Sequence, residues 1–244
     1  MLAAGKGLRI GGDIRKQYLE IGDDGVPMLI YSIRTMAESP VITDLVVMTV
    51  PGDEKPVRKM LETCGLDHKL RAVVTGGFER FHSVFLGLET ISWPCDYVFI
   101  HDCARPFLEE ETLERLYESV IEDGACVAAV PAKDTIKLAD ADGFVSSTPN
   151  RSDVWIIQTP QVFEFELIRE AHRKLMDQLE DLREQGIAVT DDAMVAEQMM
   201  HARIRLVKAS YRNIKVTTPE DIPVAKALYR EHSGIILRGE TENE

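Results

Sequence analysis

The chain is short of positive charge: 28 Lys and Arg stand against 41 Asp and Glu in 244 residues, a formal net of −13. A surface of that sign repels nucleic acid and anionic membrane, so a broad basic binding face is excluded, while a local basic pocket for a small anion is not. No apolar run approaches the roughly 20 residues that a membrane span needs. Cysteine is scarce, and Cys64, Cys95, Cys103 and Cys126 have neither C-x-x-C nor Cys/His zinc spacing. Thiols scattered in this way read as reduced packing residues. The opening Met1-Leu-Ala-Ala-Gly-Lys-Gly7 lacks the charged stretch and apolar core of a signal peptide, and the expected location is cytoplasmic. Its glycines form neither G-x-G-x-x-G nor a Gly-Lys-Ser/Thr P-loop, and no acid follows at the dinucleotide distance, which argues against a dehydrogenase.

Short apolar runs alternate with longer helical patterns. Leu45–Val50, Arg71–Thr75, Tyr97–His101 and Cys126–Val130 are nearly all apolar and end at Pro, Gly or Asp, as strands buried on both faces do. Helices are expected over Met28–Glu38, Asp53–Thr63, Phe81–Thr90 and Glu111–Asp123. That alternation predicts a three-layer α/β/α sandwich with right-handed crossovers and a mostly parallel sheet. Ile136–Thr148 breaks the rhythm: Asp140-Ala-Asp-Gly143 is a turn between two short strand-like runs, predicting a protruding β-arm at about 136–150. Beyond it come a strand at Trp155–Thr159, a long helix from about Glu164 to Glu184, a helix after Thr190-Asp-Asp192, a strand at Arg203–Lys208 and a helix starting at Thr218-Pro-Glu-Asp221. With no repeat or linker, one domain over residues 1–232 and a frayed polar tail over 233–244 are expected.

The chemistry concentrates in the loops. Ala3-Ala-Gly-Lys-Gly-Leu-Arg9 has glycines that let backbone amides approach a phosphate, although a tight strand-to-helix turn explains this segment equally well. Arg9 and Lys16, separated by Gly11 and Gly12, place a guanidinium fork and a point charge on one loop. Such a pair suits nucleotidyl transfer, which needs positioning and charge neutralisation more than covalent help. Asp102 follows an apolar strand at its carboxyl end, where open α/β sheets place ligands. Taken singly, each of these residues is more ordinarily a surface cation or a helix cap. His68, His172, His201 and His232 have no metal-like partners and read as surface or packing residues, and Cys103 reads as packing.

Taken in order, the motifs resemble the 2-C-methyl-D-erythritol 4-phosphate cytidylyltransferase family. They are Ala3–Arg9 with Lys16-Gln-Tyr18, Gly76-Gly-Phe-Glu-Arg80 with Ser83, His101-Asp-Cys-Ala-Arg-Pro106, Lys133-Asp-Thr-Ile-Lys137, Arg151, Gln158-Thr-Pro-Gln161, Thr190-Asp-Asp192 and Asn213-Ile-Lys-Val-Thr217. The resemblance implies a Rossmann-like nucleotidyltransferase fold and a reaction of CTP with a small polyol phosphate that yields the CDP-linked alcohol and pyrophosphate, in non-mevalonate isoprenoid precursor synthesis. It implies Arg9 and Lys16 as catalytic cations, and Ala3, Ala4, Gly5, Lys16, Gly76, Gly77, Ser83 and Lys215 against the nucleotide. It further implies Asp102, Thr135, Arg151, Thr159, Thr190 and Lys215 at the polyol phosphate, and Mg2+ beside Asp102. Arg105 suits a salt bridge or a phosphate contact in the site or a structural role, and the structural role is the one expected. The arm would make a homodimer in which Arg151 reaches the partner subunit's site.

The chain departs from that pattern in three places. The first strand begins only at Met1-Leu2, which would uncover the strands on either side of it. Arg15 stands where Pro is usual, and Phe78 where Asp is usual. A ribitol 5-phosphate cytidylyltransferase shares most of the motifs, although Thr148-Pro-Asn-Arg-Ser152 with Val154-Trp155 is closer to the methylerythritol enzyme. A degenerate nucleotide-binding homologue is a further alternative, against which Arg9, Lys16, Asp102 and Lys215 stand together.

Overall fold

Alternating apolar runs and amphipathic stretches fold as the pattern dictates. A computed structural model describes residues 1–5 and 15–240, with side chains through Glu231. A 3-10 turn at Lys16–Tyr18 leads to α1 (Met28–Glu38), β1 (Leu45–Thr49), α2 (Glu54–Thr63), β2 (Leu70–Thr75), α3 (Arg80–Thr90), β3 (Tyr97–Ile100), α4 (Glu110–Asp123) and β4 (Ala125–Pro131). The arm holds β5 (Leu138–Ala139) and β6 (Val145–Ser147). After it run β7 (Trp155–Glu164), α5 (Phe165–Asp177), α6 (Leu179–Glu184), α7 (Asp192–Met200), β8 (Arg205–Lys208) and α8 (Asp221–Glu240).

The sheet has two halves. β1 and β2 pair in parallel, and β3-β7-β4-β8 form the other half, with β7 antiparallel to both neighbours and β4 parallel to β8. Leu2 joins the halves, bridging Met48 on one side and Asp102 on the other, both in parallel. Alternation along the strands builds the layers. Phe163 and Ala125 turn to the side of α3, α5 and α7, while their neighbours Val162 and Cys126 turn to α4, against Leu116 and Val120. β4 is buried at every residue but Pro131, which is why its sequence shows no polar alternation.

The join is thin. Between β1 and β3, below Met1 and Leu2, lies a cavity of about 250 Å³ walled by Val46, Met48, Phe99 and Ile100. The amino group of Met1 donates to the Val46 carbonyl at 2.8 Å, and burial lowers its pKa.

Three expectations are corrected. The strand expected at Trp155–Thr159 extends to Glu164, because its second half is the central rung between β3 and β4. The helix expected to run unbroken from Glu164 to Glu184 is interrupted at Gln178, whose amide is shared between Lys174 and Leu175 carbonyls; the break lets Leu182 reach the core. The last helix starts at Asp221 rather than Thr218, because the Asp221 carboxylate accepts from the amides of Thr217 and Thr218 and holds them in a turn. It continues to Glu240. The arm forms as its turn predicts: Asp140 Oδ1 accepts from the amides of Asp142 and Phe144, and Gly143 takes the positive φ of 87° that the turn requires. Among the described residues no helix is long and apolar enough to cross a membrane.

Candidate active site

The loops at the join of the two half-sheets enclose a cleft of about 270 Å³. Its wall includes Ala3, Ala4, Gly5, Lys16, Gly77, Ser83, Asp102 and Lys215, drawn from five separate stretches of chain. It lies at the carboxyl ends of the first strand and β3, where strand order changes direction.

Local contacts fix each piece. The buried Gln17 side chain donates to the Ala3 carbonyl at 2.9 Å and ties the 3-10 turn to the first strand. Arg15 and Tyr18 both reach Asp53 Oδ2 at 2.6 Å. Arg15, the replacement for proline, therefore anchors the return of the loop at its far end, and Lys16 packs over Gly5. Burial and then the Asp53 hydrogen bond push the Tyr18 hydroxyl up to about 12, so it remains a donor.

The Gly76-Gly77 pair is demanded by crowding. A Cβ on Gly76 would stand 2.3 Å from the Ala4 Cβ, and one on Gly77 would stand 2.3 Å from the His82 Cβ. The Gly77 amide donates to Ser83 Oγ at 3.0 Å, so the pair and the start of α3 close on Ala4 as one unit. Gly76 stands behind Ala4 and Ser83 rather than in the cleft wall. Phe78, in place of the usual Asp, is in the wall and 79% exposed.

Asp102 is the electrostatic centre. Its Oδ2 meets Lys215 Nζ at 2.6 Å, and its Oδ1 meets Arg80 Nε at 3.3 Å. Burial alone would raise its pKa, but Arg80 and then Lys215 outweigh burial and hold the carboxyl well below the usual range. The Asp102 amide donates to Thr159 Oγ1 at 3.1 Å, and that hydroxyl also meets His101 Nδ1 at 3.0 Å. Burial lowers the His101 pKa to about 4, so the ring is neutral at pH 7. Lys215 is aimed by a pinned loop, in which Asn213 donates to Gln158 Oε1 and the Thr159 carbonyl, while Arg105 donates to the Asn213 carbonyl at 2.7 Å. Arg105 is thus a buried strut, as its expected structural role requires.

The expected site residues divide into three groups. Ala3, Ala4, Gly5, Lys16, Gly77, Ser83, Asp102 and Lys215 meet in the cleft, and Gly76 backs it. Thr159 is adjacent but buried, with its hydroxyl spent on Asp102 and His101, so in this structure it shapes the site from behind. Thr135, Arg151 and Thr190 are exposed and outside the cleft wall; Arg151 donates to the Lys133 carbonyl and Thr190 lies beside Met194. Arg9 lies outside the described residues.

Sequence reasoning missed a second buried acid. Asp192 is fully buried, and its Oδ2 meets Arg80 NH2 at 2.7 Å. His172 Nε2 stands 3.3 Å from Asp192 Oδ1, off line for a full hydrogen bond, and its Nδ1 has no partner. The signal for His172 lay in spacing: it shares a face of α5 with Phe165, Ile168 and Leu175 and so faces inward. Among the described residues no three His, Cys, Asp or Glu side chains gather into a metal cage.

Comparison with known proteins agrees with this geometry. The model of the family described as 2-C-methyl-D-erythritol 4-phosphate cytidylyltransferase matches residues 1–231. A protein of that name from Lachnospira eligens is 41% identical over 240 residues, covering 98% of each chain. One from Geotalea uraniireducens is 42% identical over 232 residues, covering 93% of this chain and 94% of its own. Among solved structures, the 4-diphosphocytidyl-2C-methyl-D-erythritol synthase of Anaerococcus prevotii superposes with a TM-score of 0.81 at 32% identity, covering 94% of this chain and 93% of that one.

Proposed function

The chain belongs to the 2-C-methyl-D-erythritol 4-phosphate cytidylyltransferase family, and from that premise we propose how its own residues couple CTP to methylerythritol phosphate. A phosphate oxygen of the polyol attacks the α-phosphorus of CTP. The new P–O bond forms as the α–β bridge bond breaks, and pyrophosphate leaves. The observation that carries this reading is the cleft itself: Lys16, Lys215, Arg80 and the Ala3–Gly5 segment line it together with the buried carboxylate of Asp102. Backbone at Ala3–Gly5 cradles phosphate, and Lys16, with Arg9, neutralises charge that builds on the α-phosphate. The Gly77 and Ser83 wall receives the base.

Mg2+ fits this donor set as an ion carried on the nucleotide. Mg2+ is commonly held by one or two carboxylates together with substrate phosphates. Asp102 is one carboxylate in the cleft wall, and no protein cage competes with it among the described residues. Asp102 would hold the ion, which would supply further neutralisation of the phosphates. Lys215 would then leave the carboxylate for a phosphate oxygen.

The arm supports a homodimer. Leu138, Phe144 and Val145 are uncovered on it, Phe144 at 73% exposure, and a two-stranded hairpin is marginal by itself. Arg151 at its base lies outside this chain's own cleft, which suits a role in the partner subunit's site. Phe144→Asp is expected to yield a monomer in light scattering. Mixing inactive Arg151→Ala and Lys16→Ala proteins is expected to restore activity, and failure of mixed dimers to recover any would refute the shared site.

The direct test is pyrophosphate release from CTP and Mg2+ with methylerythritol phosphate or ribitol 5-phosphate. Release with the first alone is expected; release with ribitol 5-phosphate alone would move the assignment to that substrate.

A further inference from the structure

Two cations hold Asp102, and they are not equivalent. Lys215 is a single flexible ammonium, 37% exposed, on one carboxylate oxygen. Arg80 is clamped from behind: its Nε meets Asp102 Oδ1, while its NH2 meets Asp192 Oδ2 at 2.7 Å. Asp192 is itself immovable. Its amide and that of Ala193 donate to the buried Gln161 Oε1 at 2.9 and 3.0 Å, and His172 stands against its second oxygen. Gln161 in turn belongs to the central strand β7.

We propose that Asp192 is a positioning residue that fastens Arg80 to one edge of Asp102, so that only the Lys215 edge of the carboxylate is open to exchange when the nucleotide binds. The proposal rests on the cytidylyltransferase reading above. Its physical basis is the guanidinium fork, which can join two carboxylates at once, as an ammonium of the same charge cannot. Without Asp192, Arg80 turns wholly onto Asp102 and covers the edge that Lys215 vacates. The cleft then gains net positive charge, so a triphosphate binds no less well, but the carboxylate is no longer presented correctly. Losses of about tenfold or more are usual when the partner that orients a site carboxylate is removed.

The test compares Asp192→Asn and Arg80→Lys with the parent protein, measuring turnover by pyrophosphate release and CTP affinity separately by calorimetry without the polyol. In both variants kcat is expected to fall about tenfold or more, while CTP binds at least as tightly as in the parent in Asp192→Asn and about as tightly in Arg80→Lys, which leaves the charge unchanged. Unchanged kcat in both would overturn the proposal. So would kcat and CTP affinity falling together, the mark of a residue that only supports the fold. If Asp192→Asn does not fold, Arg80→Lys, which keeps a cation at the centre, decides alone. Absence of turnover in the parent protein would instead refute the functional reading.

Discussion

The two halves of the sheet are built to different standards. Around β4 and the second half of β7 the strands are paired and packed on both faces, with Phe163, Val162, Cys126 and Ala128 fully buried. At the join of β1 and β3 Leu2 bridges Met48 and Asp102, and a cavity of about 250 Å³ lies beside it. The buried charge of the cleft gathers at the join: Asp102, Lys215 and Arg80 meet there, with Asp192 reaching in from α7. Stability and chemistry are thus separated in space. The dense half supplies the rigid wall from which Thr159, Gln161 and Gln158 reach out, and the thin half supplies the opening in which a ligand can lie.

That contrast can be broken by mutation. The largest effect is expected from Phe163→Ala in the dense half, about 4 kcal/mol of lost stability in urea denaturation, because a large side chain packed on all sides leaves a cavity that cannot collapse. Next comes Lys16→Ala at the opening, where turnover is expected to fall about 100-fold, near 3 kcal/mol of transition-state stabilisation, with the urea midpoint almost unmoved. A fall in stability without a fall in turnover would reverse the division of labour. Leu2→Ala should cost about 2 kcal/mol, the low end for such a truncation, because the side chain already borders a void and has fewer contacts to lose.

Acid sharpens the same comparison. His101, beside Asp102, has its pKa lowered by burial to about 4, below the ordinary 6.5. The unfolded chain therefore binds the extra proton first. The stability this neutral ring contributes is fully present above pH 6.5 and is lost as pH falls from there towards 4. Urea midpoints measured across pH 7 to 4 should decline, and His101→Gln should flatten part of that decline.

Much of this was legible in the sequence, for reasons that differ by residue. Continuous apolar runs at Leu45 and Cys126 announce buried strands, and Asp140-Ala-Asp-Gly143 announces the arm, because turn chemistry is local. The cleft residues were legible through ordered motifs, since Gly76 and Gly77 admit no other side chain in the crowd of Ala4 and His82. What escaped were relations across long separations. Nothing at Asp192 alone distinguishes a helix-start carboxylate from one that meets Arg80, 112 positions earlier in the chain. The extension of β7 beyond Thr159 to Glu164 escaped for the same reason: with Gln158, Thr159 and Gln161 gathered there, the strand looks finished until their partners are known. Their polarity is spent on Asn213, Asp102 and the first turn of α7, which is why a central strand tolerates them.

Strand β7 acts as a ruler. Successive residues of a strand face opposite sides of its sheet, so a slip of one residue against β3 and β4 would exchange Phe163 for Val162 in their two cores. The same slip would carry Thr159 away from Asp102 and Gln161 away from Asp192. Core and cleft are thus read from a single register, and a lesion that frees the strand would lose both together.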